Sequence, residues 1–105
     1  MIKNKYGTTL LTKADLNKLA KVGYQNMVPV VKLFVGPLTW LVTCIDDGIL
    51  YGYSDLSLGC VEWGSLTSLE ELPTIKTGPF CLEKDRWFKP NKDVEYLGLE
   101  TLSGV

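Results

Sequence analysis

Between residues 27 and 64 the chain alternates runs of β-branched and aromatic residues with very short connections, and this spacing limits the folds open to it more than any other feature. Residues 27–35 read Met-Val-Pro-Val-Val-Lys-Leu-Phe-Val and stop at Gly36-Pro37, a turn dipeptide. Residues 39–45 form a second run. Asp46-Asp47-Gly48 then supplies residue types that accept positive φ in a tight hairpin, and residues 49–53 return. A turn through Ser57-Leu58-Gly59 leads into a fourth run over residues 60–64. Strands joined this closely must be antiparallel neighbours, because a parallel crossover needs about a dozen residues or more.

On the N-terminal side, Leu10-Leu11-Thr12 opens a helix over residues 13–22, with Leu16, Leu19 and Ala20 on one face, Lys13, Lys18 and Lys21 mostly on the other, and Gly23 as the stop. On the C-terminal side, Thr67 with Glu70 and Ser68 with Glu71 are overlapping capping-box pairs, which predict a short helix cut off by Pro73. Residues 80–88 alternate and predict an extended edge strand; residues 94–99 predict a last strand or short helix. The expectation is a single α+β domain over residues 1–105. Its antiparallel meander has four to six strands, with the N-terminal helix and one short helix packed to one side.

Composition narrows the chemistry. The 105 residues are 46% hydrophobic and 22% charged, enough apolar surface for one self-sufficient core. Eleven Lys+Arg against twelve Asp+Glu leave a net charge of −1, so no global field draws the protein to nucleic acid or anionic membrane. There is no histidine, which removes the commonest general base and metal ligand. Cys44, Cys60 and Cys81 form no Cys-x-x-Cys pair and are expected to pack as small hydrophobes. No apolar run reaches the length of a signal peptide core or a membrane span, so a soluble, cytoplasmic protein is expected.

Three groups of side chains could carry function. Asp46, Asp47, Asp55, Glu62, Glu83 and Asp85 offer carboxylates, but Asp46 and Asp47 belong to a hairpin and the spacing matches no calcium loop, so no metal or cofactor is expected. Lys84, Arg86, Trp87 and Lys89, followed by Lys92, interleave basic and aromatic residues in the manner of a strip that pairs with phosphate or carboxylate and stacks on a flat ring. The competing reading makes this an ordinary strand, with Arg86 paired to Glu62 and Trp87 in the core. Trp40, Tyr51, Tyr53, Trp63 and Trp87 all fall on predicted strands; Tyr51 and Tyr53 lie two apart and share one face, which is a platform for a partner if open and core if covered. Trp40 is expected in the core, and Tyr51 and Tyr53 partly exposed.

Several of these blocks resemble a family of small bacterial, plasmid and phage proteins catalogued as domain of unknown function 2958. The likeness runs from Leu10-Leu11-Thr12 through Val31-Lys32-Leu33-Phe34, Thr39-Trp40, Asp46-Asp47-Gly48 and Leu50-Tyr51-Gly52. It is strongest over residues 62–72, beginning Glu62-Trp63-Gly64-Ser65, and it closes at Glu83-Lys84-Asp85-Arg86-Trp87-Phe88-Lys89-Pro90. Two departures stand out: the turn before Thr39 is reduced to Gly36-Pro37-Leu38, and Lys84-Asp85-Arg86 replaces a direct arginine-aspartate pair. The resemblance implies a setting, phages and mobile elements, and no catalytic residues.

No phosphate loop, nucleophile elbow or dinucleotide fingerprint is present. The expectation is therefore a non-enzymatic binding protein that sequesters or blocks a target, with a component of host defence as the candidate. The target would be a protein or a phosphate-bearing ligand, met by Arg86, Trp87, Lys89, Lys84, Tyr51, Tyr53, Glu62 and Trp63. The alternative is a nucleic-acid-binding accessory protein using the basic and aromatic strip. Exposed strand edges and near-zero net charge also predict a homodimer.

Overall fold

The structure, a computed structural model, describes residues 1–55, 61–77 and 79–88. The chain starts with a small antiparallel pair, β1 (Ile2–Lys3) and β2 (Thr9–Leu11), followed by helix α1 (Lys13–Val22). Strands β3 (Val31–Val35), β4 (Leu38–Asp46), β5 (Ile49–Asp55) and β6 (Val61–Ser68) form a continuous antiparallel meander. A 3₁₀ turn (Leu72–Thr74), a second small pair, β7 (Lys76–Thr77) with β8 (Phe80–Cys81), and β9 (Glu83–Lys84) complete the described chain. Among the described residues the main sheet has five strands in the order β6-β5-β4-β3-β9. The fold is mixed α+β, mostly strand.

Side chains of successive strand residues leave opposite faces, so the sheet builds two apolar clusters. The larger collects Val31, Leu33, Val35, Trp40, Val42 and Leu50 with Leu19 of α1, Leu10 and Leu11 of β2, Leu72 and Leu82. The smaller holds Leu41 and Tyr53, with Met27, Val61, Trp63 and Phe88 packed against it. Trp40 is buried, as its position among β-branched neighbours requires.

The tight turn between β4 and β5 has Asp47 at φ 50° and Gly48 at φ 75°, the paired left-handed conformations of a two-residue hairpin. A β-bulge between Val42 and Cys44 interrupts the β4–β5 register, with Val42 opposite Gly52 and Cys44 opposite Tyr51. Beside it the β4 backbone comes so close to Gly52 that an added Cβ would lie 2.1 Å from the Leu41 carbonyl oxygen.

Four expectations are corrected. The first strand begins at Val31, not residue 27, because Pro29 has no N–H to give a ladder and residues 23–30 form a hydrogen-bonded loop instead. The short helix after residue 67 is absent: Thr67 and Ser68 continue β6, opposite Leu50 and Ile49, and only a 3₁₀ turn follows. The single edge strand over residues 80–88 is broken into β8, β9 and a turn at Arg86-Trp87. Arg86 cannot meet Glu62 across neighbouring strands, because β6 and β9 are opposite edges of the sheet. The turn expected at residues 57–59, Cys60 and the element expected at residues 94–99 lie outside the described residues.

Helix α1 is fastened at its first turn. Thr12 Oγ1 accepts from the Asp15 N–H at 3.0 Å, and Asp15 Oδ2 accepts from the Thr12 N–H at 3.0 Å, a reciprocal capping box. The same Asp15 oxygen takes Lys84 Nζ of β9 at 2.7 Å, tying the helix to the sheet edge. Burial pushes the Asp15 carboxyl up, but the Lys84 ammonium and the Thr12 donors outweigh it, and the carboxyl ends below its ordinary value of 3.8. A depressed carboxyl contributes stability that is full above the unfolded pKa and is lost as pH falls through the folded one. Asp15→Ala is expected to cost about 1–2 kcal/mol at pH 7, with the deficit shrinking as pH is lowered below about 4. Urea melts of both chains across that range read it.

Candidate interaction face

The smaller cluster marks the sheet face with functional potential. Leu41, Tyr53 and Trp63 are directly opposed across β4, β5 and β6, and Tyr51 lies two residues from Tyr53 on the same side. Tyr51 and Trp63 therefore meet diagonally, their rings nearly parallel at 18° with centroids 5.8 Å apart. A third ring comes from the loop after α1. Tyr24 stands edge-on to both, 4.8 Å from Tyr51 and 5.3 Å from Trp63. Tyr24 is 49% exposed and is the outermost of the three.

The bulge residue Thr43 organises the group. Fully buried, it must satisfy its hydroxyl, and does so by accepting from Trp63 Nε1 at 3.1 Å and donating to the Tyr51 carbonyl at 3.2 Å. Its own carbonyl accepts from Asn26 Nδ2 at 2.7 Å. Asn26 in turn closes the loop through the Val28 carbonyl and N–H. Tyr53 is buried, not partly exposed as expected; its hydroxyl donates to the Met27 carbonyl at 2.9 Å. One bulge and one tyrosine thus hold the loop carrying Tyr24 over the sheet.

The rim of the aromatic group is acidic. Asp46 and Asp47, both exposed, sit at the β4–β5 turn. The Tyr51 phenol is pushed up by partial desolvation and then by Tyr24, Asp46, Cys44 and Asp47, so it stays neutral at physiological pH. Burial pushes the Tyr53 phenol up too. The Cys44 thiol is raised by burial and by Asp46 against a lowering contact with Thr43, the setting of a packed cysteine rather than an activated one.

The remaining expected site residues are dispersed. Glu62 is exposed on β6 and alternates with Trp63, so it belongs to the opposite face. Lys84 is engaged by Asp15. Arg86 and Trp87 share an exposed turn at the far edge of the sheet; Trp87 is 85% exposed, not core, and its N–H is held by Asp85 Oδ1 at 2.9 Å. Asp85 also pairs with Lys32 at 3.5 Å. Lys89 lies outside the described residues. The set predicted as one strip is therefore two places, an acidic aromatic cluster over β5 and β6 and an isolated Arg86–Trp87 turn beyond β9. Tyr24 was missed: it follows the helix stop in a polar loop, with no local pattern to mark it.

A shallow depression of about 680 Å³ runs along the outer side of α1, lined by Ala14, Asn17, Lys18, Lys21 and Val22, and a smaller one of about 200 Å³ lies between Asn4, Thr8, Phe80 and Cys81. Asn4 is spent on structure there, giving Nδ2 to the Leu82 carbonyl and accepting from Tyr6 and Thr8 N–H groups. Among the described residues no group of three or more His, Cys, Asp or Glu side chains is placed to hold a metal ion, and no helix is long and apolar enough to cross a membrane.

A family model described as a protein of unknown function, DUF2958, matches residues 1–100. Searches of curated proteins and of solved structures return no match to the chain.

Proposed function

The chain belongs to the DUF2958 family, and from that premise we propose that it is a binding module that acts in the cytoplasm by covering part of a partner protein, through the sheet face that carries Tyr24, Tyr51 and Trp63. The observation that carries this reading is the ring cluster itself. Three aromatic side chains are gathered at a surface, braced from below by Thr43 and Tyr53, and left half open at Tyr24. Aromatic residues held rigid at a surface are the usual anchors of protein interfaces, since they bury a large area and lose little entropy on doing so. The phage and mobile-element setting implied by the sequence resemblance supports the sense of the action, sequestering or blocking a target such as a component of host defence.

The nucleic-acid alternative is favoured by one observation, the exposure of Trp87 beside Arg86. It belongs to the other edge of the sheet and predicts binding to single strands that weakens steeply with salt.

A photo-activated phenylalanine analogue placed at position 24, in the full chain expressed in the cells that carry its gene, tests the main reading. The expected result is a discrete cross-linked adduct from position 24 and none from position 17 on the outer side of α1. Equal adducts from both positions, or none from position 24, would contradict it.

A further inference from the structure

Resting on that reading, we infer that the partner presents a basic segment, and that an arginine or lysine side chain from it lies against the Tyr24–Tyr51–Trp63 rings with its charge met by Asp46 and Asp47. Charge complementarity selects this occupant. The faces of aromatic rings carry negative potential and attract cations, arginine above all because its flat guanidinium also stacks. Asp46 and Asp47 are exposed at the hairpin, and Asp46 stands opposite Ile49, two residues from Tyr51 on the same strand face. Phosphate or an acidic peptide would meet both the ring faces and these two carboxylates as repulsion. Lys32, opposite Leu41 on the same sheet face, has its charge met by Asp85.

The geometry is a surface on which a cation stacks, not a cage that encloses one. The rings are in contact with one another, with centroids between 4.8 and 5.8 Å apart, leaving no space between them for an ion. The guanidinium or ammonium would therefore rest on the open side of the cluster at Tyr24. The contact this predicts is of modest strength per cation and is salt-sensitive through the two aspartates.

The test is a titration of the full chain with an end-blocked octapeptide of alternating arginine and glycine, followed by amide and indole chemical shifts. The glutamate-glycine octapeptide and a single-stranded oligonucleotide serve as counter-probes. Saturable binding of the arginine peptide is expected, with shifts centred on Tyr24, residues 46–48, Tyr51 and Trp63. Tyr24→Ala should weaken it by roughly threefold or more. The Asp46→Asn, Asp47→Asn double variant should weaken it by about tenfold at low salt and flatten its salt dependence, while keeping a residue type that tolerates the turn. Asn17→Ala on α1 should change nothing. Failure of the arginine peptide to bind, or binding indifferent to these variants, overturns the inference. Binding of the glutamate peptide or the oligonucleotide that is lost in Tyr24→Ala overturns it too, yet leaves the face as the docking surface. Absence of an adduct from position 24 in cells overturns that underlying reading itself.

Discussion

Gly52→Ala is expected to destabilise the fold by about 3 kcal/mol or more, a large part of the stability available to a domain of this size. The reason is space rather than backbone conformation. A Cβ at position 52 would stand 2.1 Å from the Leu41 carbonyl oxygen and 2.8 Å from Val42 Cα, and both obstacles are main chain. Side chains can rotate out of the way; the β4 backbone, paired on both sides within the sheet, cannot. Gly64 is the control, because it lies directly opposite Gly52 on β6 and a Cβ there meets nothing within 4 Å. Gly64→Ala should therefore change stability by no more than about 0.5 kcal/mol. Urea denaturation of the two variants side by side measures the contrast, and similar midpoints for both would disprove the close approach at the bulge.

The second large effect is expected at Tyr53. Its ring is buried against Leu41 and its hydroxyl holds the Met27 carbonyl, so one side chain both fills the smaller cluster and ties down the loop above it. Tyr53→Ala should cost about 3–5 kcal/mol through the cavity and lost contacts. Tyr53→Phe keeps the ring and removes only the hydrogen bond, and should cost about 1 kcal/mol. The two differ in what they leave of the proposed docking face. In Tyr53→Phe the sheet stays intact while the loop loses its tie at the Met27 carbonyl and keeps those through Asn26, so faster amide exchange is expected at residues 24–28 with β4 and β5 unchanged. Exchange that rises equally over the strands would show that the hydroxyl supports the sheet and not the loop.

How far the sequence could be read depended on whether the deciding interaction was local. Helix α1 has the predicted bounds because Thr12 and Gly23, the cap and the stop, are adjacent to the turns they control. The hairpin at Asp47-Gly48 is likewise decided within four residues. The helix expected after residue 67 fails for the opposite reason. Ser68 Oγ does accept from the Glu71 N–H at 3.1 Å, so the capping chemistry is real, but pairing of residues 67 and 68 with β5 and burial of Leu72 claim the segment for strand and turn. Here tertiary pairing overrides a local signal.

The site shows the same division. That Tyr51 and Tyr53 share a face follows from a period of two and needs no structure. Which of them is covered depends on Met27 and Phe88 arriving from distant parts of the chain, and Tyr53 is the one they bury. The anchoring of the Trp63 indole N–H depends on the bulge residue Thr43, which no turn residue announces. Glu62 and Trp63 looked like one block in sequence, yet strand alternation sends them to opposite faces.

The central claim is that the protein works through the face at Trp63, and its three tryptophans make a direct test. Trp40 is buried in the main core, Trp63 sits in the aromatic cluster with its indole N–H on Thr43, and Trp87 projects from the far turn. With the indole nitrogens isotope-labelled, the three resonances are recorded before and after adding a lysate of the cells that carry the gene. The account predicts that the Trp63 signal shifts or broadens beyond the other two and recovers in Tyr24→Ala. Selective change at Trp87 with Trp63 untouched would contradict it and assign the function to the Arg86–Trp87 turn.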